Sequence, residues 1–266
     1  YKAARKRKNP MPLVLALLVA ALAVGAFFII TNLPDDVDGW RVAWTSGAKG
    51  QDYLASGERI ETSGEQRARL TVDALGHVDV EPDTVVQRAK ATGDRERLAL
   101  VRGALGLELK GDGLVVTTPS AEVHGQGTFV VETDAGGRGL VRASKDRVVV
   151  VGTDGQGQAA VVPPGASCRL LPDAGPGVPS FDDGPAELRG VTPDEAVSAA
   201  LMATTPRDTL VLWHLLGRIE GGDRELLVAK LEELVPLPAG VEARNVAGGD
   251  PAAVKAYGDV LSQHWK

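Results

Sequence analysis

Arg67-Ala68-Arg69-Leu70-Thr71-Val72-Asp73-Ala74 places apolar residues at its even positions and polar ones at its odd positions. A period of two marks a strand with one packed face and one wet face, because successive side chains leave a pleated backbone on opposite sides. Outward from this octet the pattern recurs at Val78 and Val80, then at Leu105, Leu107 and Leu109. Gly76, Gly93, Gly111-Asp112-Gly113, Gly136-Gly137 and the glycines from Gly152 to Gly157 punctuate it at short intervals. Val148 to Val151 and Ala159 to Val162 are unbroken apolar runs of a length suited to buried strands. Aromatic residues make up only 4% of the chain while glycines total 32, a balance that fits short strands and tight turns. Residues 53–171 therefore read as an all-β module.

On either side the period is lost. Residues 34–52 carry Asp35, Asp36, Asp38 and several glycines and read as a linker, with Trp40 and Trp44 left open between a membrane interface and a core. Residues 172–191 hold Pro172, Pro176, Pro179 and Pro185 among Gly and Asp, and read as a loose second linker with little to bury. From residue 192 to 266 the period is helical. Thr192-Pro193-Asp194-Glu195 has the order of N-cap, N1 proline and N3 glutamate, ahead of Val197, Ala200 and Leu201. Thr205-Pro206-Arg207-Asp208 repeats that start before the apolar Leu210 to Leu216. Asp223 and Asp250-Pro251 open two further helices, so a small four-helix unit is expected.

The first residues predict an anchor. An uncharged apolar run from Leu13 to Ile30 follows Lys2, Arg5, Lys6, Arg7 and Lys8. Eighteen residues at ~1.5 Å each reach ~27 Å, the hydrocarbon thickness of a bilayer. The expected order is a cytoplasmic basic segment (1–12), a transmembrane helix (13–33) and an outward-facing remainder, since Lys and Arg are retained on the cytoplasmic side. A cleaved signal peptide and a buried core helix are the alternatives. The bulky Phe27-Phe28-Ile29-Ile30 end lacks the small residues of a cleavage site.

Charge and chemistry narrow the function. The chain has 29 Lys plus Arg against 35 Asp plus Glu, and without the five leading bases the remainder carries 24 against 35, or −11. Such an acidic surface disfavours direct nucleic-acid binding. A single cysteine, Cys168, rules out an internal disulfide, and no histidine lies near it in sequence to activate it as a nucleophile. His77, His124, His214 and His264 show no metal-ligand spacing, and no cofactor is expected. His124 in a strand and His214 in an apolar helix read as structural. Gly155-Gln156-Gly157-Gln158-Ala159-Ala160 fits G-x-G-x-x-A, but strand and turn follow it where a nucleotide site needs a helix. Asp35-Asp36 and Asp182-Asp183 are paired carboxylates in linker sequence, where solvated charge is expected. Asp36-Val37-Asp38-Gly39 is too sparse for a calcium loop. The chain is expected not to be an enzyme.

Across roughly 120 residues of the module a family resemblance emerges. It is carried by Leu54-Ala55-Ser56-Gly57-Glu58-Arg59-Ile60-Glu61-Thr62, Ala68-Arg69-Leu70, Gly76, Pro82-Asp83-Thr84, Leu100 to Gly103, Thr118-Pro119-Ser120-Ala121-Glu122-Val123-His124-Gly125 and Gly127-Thr128-Phe129. In order and spacing the module resembles a FecR domain, with Gly57, Ile60, Thr62, Gly76, Gly103, Pro119, Gly127, Thr128 and Phe129 as its motif residues. The family's usual G-T-x-F-x-V is shortened here, because Thr128 abuts Phe129, so that strand is expected to shift in register. The resemblance implies a mainly β fold of layered, solenoid-like strands with turns at Gly57, Gly76 and Gly103. It further implies a single-pass protein of the bacterial inner membrane with its C-terminal part in the periplasm. Its partners would be an envelope protein or ligand on the outside and, through an anti-sigma segment upstream of Tyr1, an extracytoplasmic-function sigma factor. The alternative is an envelope binding or scaffold protein.

Overall fold

A computed structural model describes residues 39–45, 50–153 and 158–266. The apolar run 13–30 with its basic flank, Asp35-Asp36, the Asp36 to Asp38 triplet and the first three residues of the Gly155 motif lie outside the described residues. Among those described, no helix is long and apolar enough to cross a membrane.

Sixteen strands dominate the described residues. In chain order they begin with β1 (Gly39–Thr45), β2 (Tyr53–Ala55), β3 (Arg59–Glu61), β4 (Arg67–Val72), β5 (Gly76–Val80) and β6 (Val85–Thr92). The long β7 (Arg95–Leu109) is followed by β8 (Leu114–Thr117), β9 (Ala121–Gly125), β10 (Gly127–Thr133), β11 (Gly139–Lys145) and β12 (Val148–Gly152). The series ends with β13 (Ala159–Val162), β14 (Ala166–Leu171) and the two-residue β15 (Gly175–Pro176) and β16 (Ser180–Phe181).

These strands form two sheets that share β7. In one the order is β2-β1-β4-β5-β7-β10-β11-β14, with β15 and β16 both on β14. In the other it is β3-β6-β7-β8-β9-β12-β13. Leu105 to Leu109 of β7 pair with β5 in the first sheet, while Arg95 to Arg102 pair with β6 in the second. All pairings are antiparallel except β7 with β8. That exception fixes the geometry. Residues 110–113 alone carry the chain from the end of β7 to a place beside its start, where Glu96 faces Leu114. A connection that short spans at most ~18 Å, so the two arms of β7 lie one above the other, as in stacked sheets ~10 Å apart. The expected solenoid-like layering is thus replaced by a bent pair of sheets.

The alternation read from Arg67 to Val72 is kept: Ala68, Leu70 and Val72 are buried and face Val80, Val78 and Gly76 of β5. Inward rows from both sheets, including Leu98, Leu100, Leu105, Leu107, Val123, Phe129 and Val150, join one hydrophobic core. β12 and β13 are half-exposed rather than covered on both faces, since only alternate residues are buried.

Both expected linkers need correction where they are described. Gly39–Thr45 is a strand between β2 and β4, and Trp40 is 1% exposed in the core; Trp44 is half-buried and its indole N–H donates to the Gln51 carbonyl. Residues 172–191 are packed as well. Gly175–Pro176 and Ser180–Phe181 each pair with β14, and Val178, Phe181, Leu188 and Val191 are buried. Asp182 accepts from Arg142 (2.8 Å) and Ser167 (2.7 Å), and Asp183 pairs with Arg207 at 3.1 Å, so these carboxylates are engaged.

The remaining chain is helical: α1 (Ala196–Met202), α2 (Thr209–Leu216), α3 (Gly222–Leu234), α4 (Ala243–Ala247) and α5 (Pro251–Leu261). The short α4 has no counterpart in the sequence reading. The starts at Thr192, Thr205 and Asp250 are capped as their sequences require. Glu195 accepts from the Thr192 N–H, Asp208 from the Thr205 N–H, and Asp250 from the Ala253 N–H. The helices are not an independent tail, because Gly39–Lys266 is a single compact unit with a continuous core.

Candidate functional site

The motif residues occupy structural nodes. Thr62 is 1% exposed; its hydroxyl donates to the Glu81 carbonyl (2.6 Å) and accepts the Thr84 N–H (3.0 Å). Thr84, fully buried, accepts the Ala104 N–H at 2.9 Å through its own hydroxyl. Gly103 stands beside it with φ +99°, and a Cβ there would lie 2.2 Å from Thr84 Oγ1 and 2.5 Å from its Cα. Gly103 is therefore not a turn between strands. It is the bend inside β7 at which the strand passes from one sheet to the other, and no larger residue fits.

The other motif positions are similarly structural. Gly57 sits between β2 and β3, where its N–H donates to the Arg88 carbonyl and its own carbonyl accepts from Gln87. Gly76 opens β5, where a Cβ would meet the Glu108 carbonyl oxygen at 2.1 Å. Ile60 is buried in β3, and Pro119 lies in the turn closed by Thr118 and Ala121. Gly127 starts β10, and the pairing with β11 shifts register between the exposed Thr128 and the buried Phe129. The structure joins Thr62 to Gly103 through Thr84 and leaves the rest apart, so these nine residues line no common cleft.

Chemistry-bearing side chains converge instead where the helices meet the sheet edge. β13 has a neighbour on only one side, β12, and its Val161 N–H points away from it. His214 of α2 fills that gap: Nε2 accepts the Val161 N–H at 3.0 Å, and Nδ1 donates to the Leu210 carbonyl at 2.8 Å. Because Nε2 faces a donor it must be the unprotonated nitrogen. Burial, the main cause, pushes the His214 pKa down to about 4, so the ring is neutral around pH 7. The Trp265 ring lies 6.0 Å from it, and the indole N–H donates to Thr209 at 3.0 Å.

Arg218, just beyond α2, donates to the Gly177 carbonyl at 3.0 Å, and the Cys168 thiol lies 3.3 Å from the same oxygen. Burial pushes that thiol up to about 12, which removes it as a nucleophile. Burial also draws Arg218 below the ordinary guanidinium value. Gln158, Val161, Trp213, His214 and Arg218 bound a cavity of about 350 Å³ at this seam. Sequence reasoning placed His214 as structural but missed Arg218, whose position after Gly217 looks like any cation at a helix end.

Elsewhere most ion pairs lie at the surface, with the buried Arg88, 3.4 Å from Glu96 and stacked over Trp40, as an exception. His124 sits 3.5 Å from Glu122 and 3.4 Å from Arg95; burial is the main cause of its lowered pKa, and Glu122 opposes the shift. Among the described residues no group of three His, Cys, Asp or Glu side chains could hold a metal ion.

No protein-family model matches the chain, and no curated protein does. Among solved structures, two crystal structures of candidate anti-sigma factors from Parabacteroides distasonis ATCC 8503 are similar in part. The first, at 17% identity and a TM-score of 0.40, covers 54% of this chain and 64% of the other. The second, at 18% and 0.40, covers 60% and 73%. The chain thus spans less than two thirds of the first neighbour it matches.

Proposed function

We propose that this chain is the outer, signal-receiving part of a single-pass envelope regulator, seated in the bacterial inner membrane with its C-terminal part in the periplasm. An anti-sigma segment upstream of Tyr1 would pass the signal to an extracytoplasmic-function sigma factor. The carrying observation is the bend in β7. Thr62, Thr84 and Gly103, three residues through which the sequence resembles FecR domains, meet there and fix how the two sheets join. The Lys2 to Lys8 cluster before the apolar run supports the orientation.

The test is a sigma-dependent transcript, measured at rest and under envelope stress, in cells carrying the full chain or the chain without residues 39–266. A changed basal level or a lost response is expected. An identical transcript in both strains and both conditions would overturn the regulatory assignment.

A second role, as an envelope binding or scaffold protein, is favoured by one observation. α1 turns Ala199 and Ala200 inward, with Ala203 buried just beyond its end, and leaves Val197, Leu201 and Met202 exposed, with Leu201 at 76%. Leu226 of α3, against which α1 packs, is exposed as well. Apolar side chains displayed in this order mark a surface that another molecule covers. A scaffold would lose envelope attachment in the truncated strain while the transcript stayed unchanged.

A further inference from the structure

The seam cavity contains an imbalance that the fold does not resolve. Arg218 is more than half-buried, yet its single hydrogen bond there goes to a neutral carbonyl, that of Gly177. Among the described residues no carboxylate pairs with it, and the Cys168 thiol, which acts on it, is neutral. The adjoining imidazole of His214 is neutral too, and its acceptor nitrogen is occupied by Val161. Other arginines among the described residues do find acidic partners, as Arg97 does with Glu122 at 2.7 Å and Arg142 with Asp182 at 2.8 Å. A partly desolvated cation without an anion is costly unless something supplies the anion. Arg218 and His214 bound an open space of about 350 Å³ whose other lining residues are Gln158, Ala159, Val161, Trp213 and Gly217.

We propose that this cavity binds a small carboxylate, with the Arg218 guanidinium holding the charged end and Trp213, Ala159 and Val161 packing against the rest. The planar fork of a guanidinium matches the two oxygens of a carboxylate, and one arm remains committed to Gly177. The volume suits a group the size of an amino acid or an aromatic acid, not a polymer. The carboxylate can belong to a free acid or to the C-terminus of a peptide, both of which present the same oxygens. Because the seam joins the helices to the β13 edge, an occupant there would also tie the two together. The site is independent of the sigma-factor assignment: absence of carboxylate binding would leave the transcript measurement unaffected.

The experiment is calorimetric titration of the full chain at neutral pH with four probes at millimolar concentration. They are benzoate, an N-acetylated dipeptide with a free C-terminus, the same dipeptide as its C-terminal amide, and inorganic phosphate. Heat of binding with benzoate assigns the site to free acids, and with the dipeptide acid alone to peptide termini. In either case the amide should bind at least about tenfold more weakly, and phosphate less well than the carboxylate. Arg218→Gln should abolish binding, while Arg218→Lys, which keeps the charge and guards against a folding defect, should weaken it. Equal binding of acid and amide, binding undiminished in folded Arg218→Gln, preference for phosphate, or no heat with any probe would each overturn the proposal.

Discussion

The bend at Gly103 and the seam at His214 both join one part of the molecule to another, but they are built from different materials. At the bend, steric exclusion and hydroxyl-to-backbone bonds from Thr62 and Thr84 fix the strand, and none of these groups titrates. At the seam, a neutral imidazole and a guanidinium make the polar contacts between helices and sheet. The bend is therefore deaf to pH and sensitive to volume, whereas the seam holds a ring that acid can protonate.

Crowding the bend should produce the largest effect. Gly103→Val adds a side chain at φ +99° and drives it into Thr84. Backbone strain of ~1–3 kcal/mol and overpacking of ~1–3 kcal/mol together put the cost on the order of 4 kcal/mol. Urea unfolding of the purified chain measures it, and a loss below about 1 kcal/mol would show that the bend is not rigid.

Acid should break the seam next. The folded pKa of His214, about 4, lies below the unfolded value of 6.5, so between those values the unfolded chain binds more protons. The contribution is complete above pH 6.5 and disappears as pH falls toward about 4, reaching a loss of about 3 kcal/mol. Chemical unfolding at a series of pH values, compared with His214→Gln, isolates it. The variant should lose most of the slope in that window, and identical slopes would remove His214 from the seam's acid response.

A surface contact sets the lower end of the scale. Asp182→Ala removes the bond to Arg142 and the one to Ser167, both exposed, and should cost about 0.5–1 kcal/mol. A loss comparable to that at Gly103 would mean that residues 172–191 hold the sheet edge more firmly than their exposed contacts indicate.

The same contrast explains what could be read from sequence. Ala68, Leu70 and Val72 announce a strand because a half-buried sheet writes its period into every second residue. Trp40 and Val42 do the same within Gly39–Thr45, but neighbouring Asp and Gly residues masked so short a signal. Val178, Phe181, Leu188 and Val191 are buried at irregular intervals, and since β15 and β16 are two residues each, no period exists to find. Gly103 is legible as a position requiring glycine. Whether such a glycine turns the chain or bends a continuing strand depends on Thr84, nineteen residues earlier. The isolation of Arg218 leaves no trace in sequence at all, because a missing counter-charge is a property of the neighbours that folding brings together.

The sharing of β7 bears on how the molecule opens. A two-layer protein with separate sheets can lose one and keep the other, but here Leu98 and Leu100 serve one sheet while Leu105 and Leu107 serve the other along the same strand. Detaching either sheet strips hydrogen bonds from a backbone that the other still needs. Amide hydrogens on both arms of β7 should therefore exchange with solvent only through opening of the whole unit and at a common rate, while those of the edge strand β13 exchange sooner. Breathing in this fold is confined to its rim.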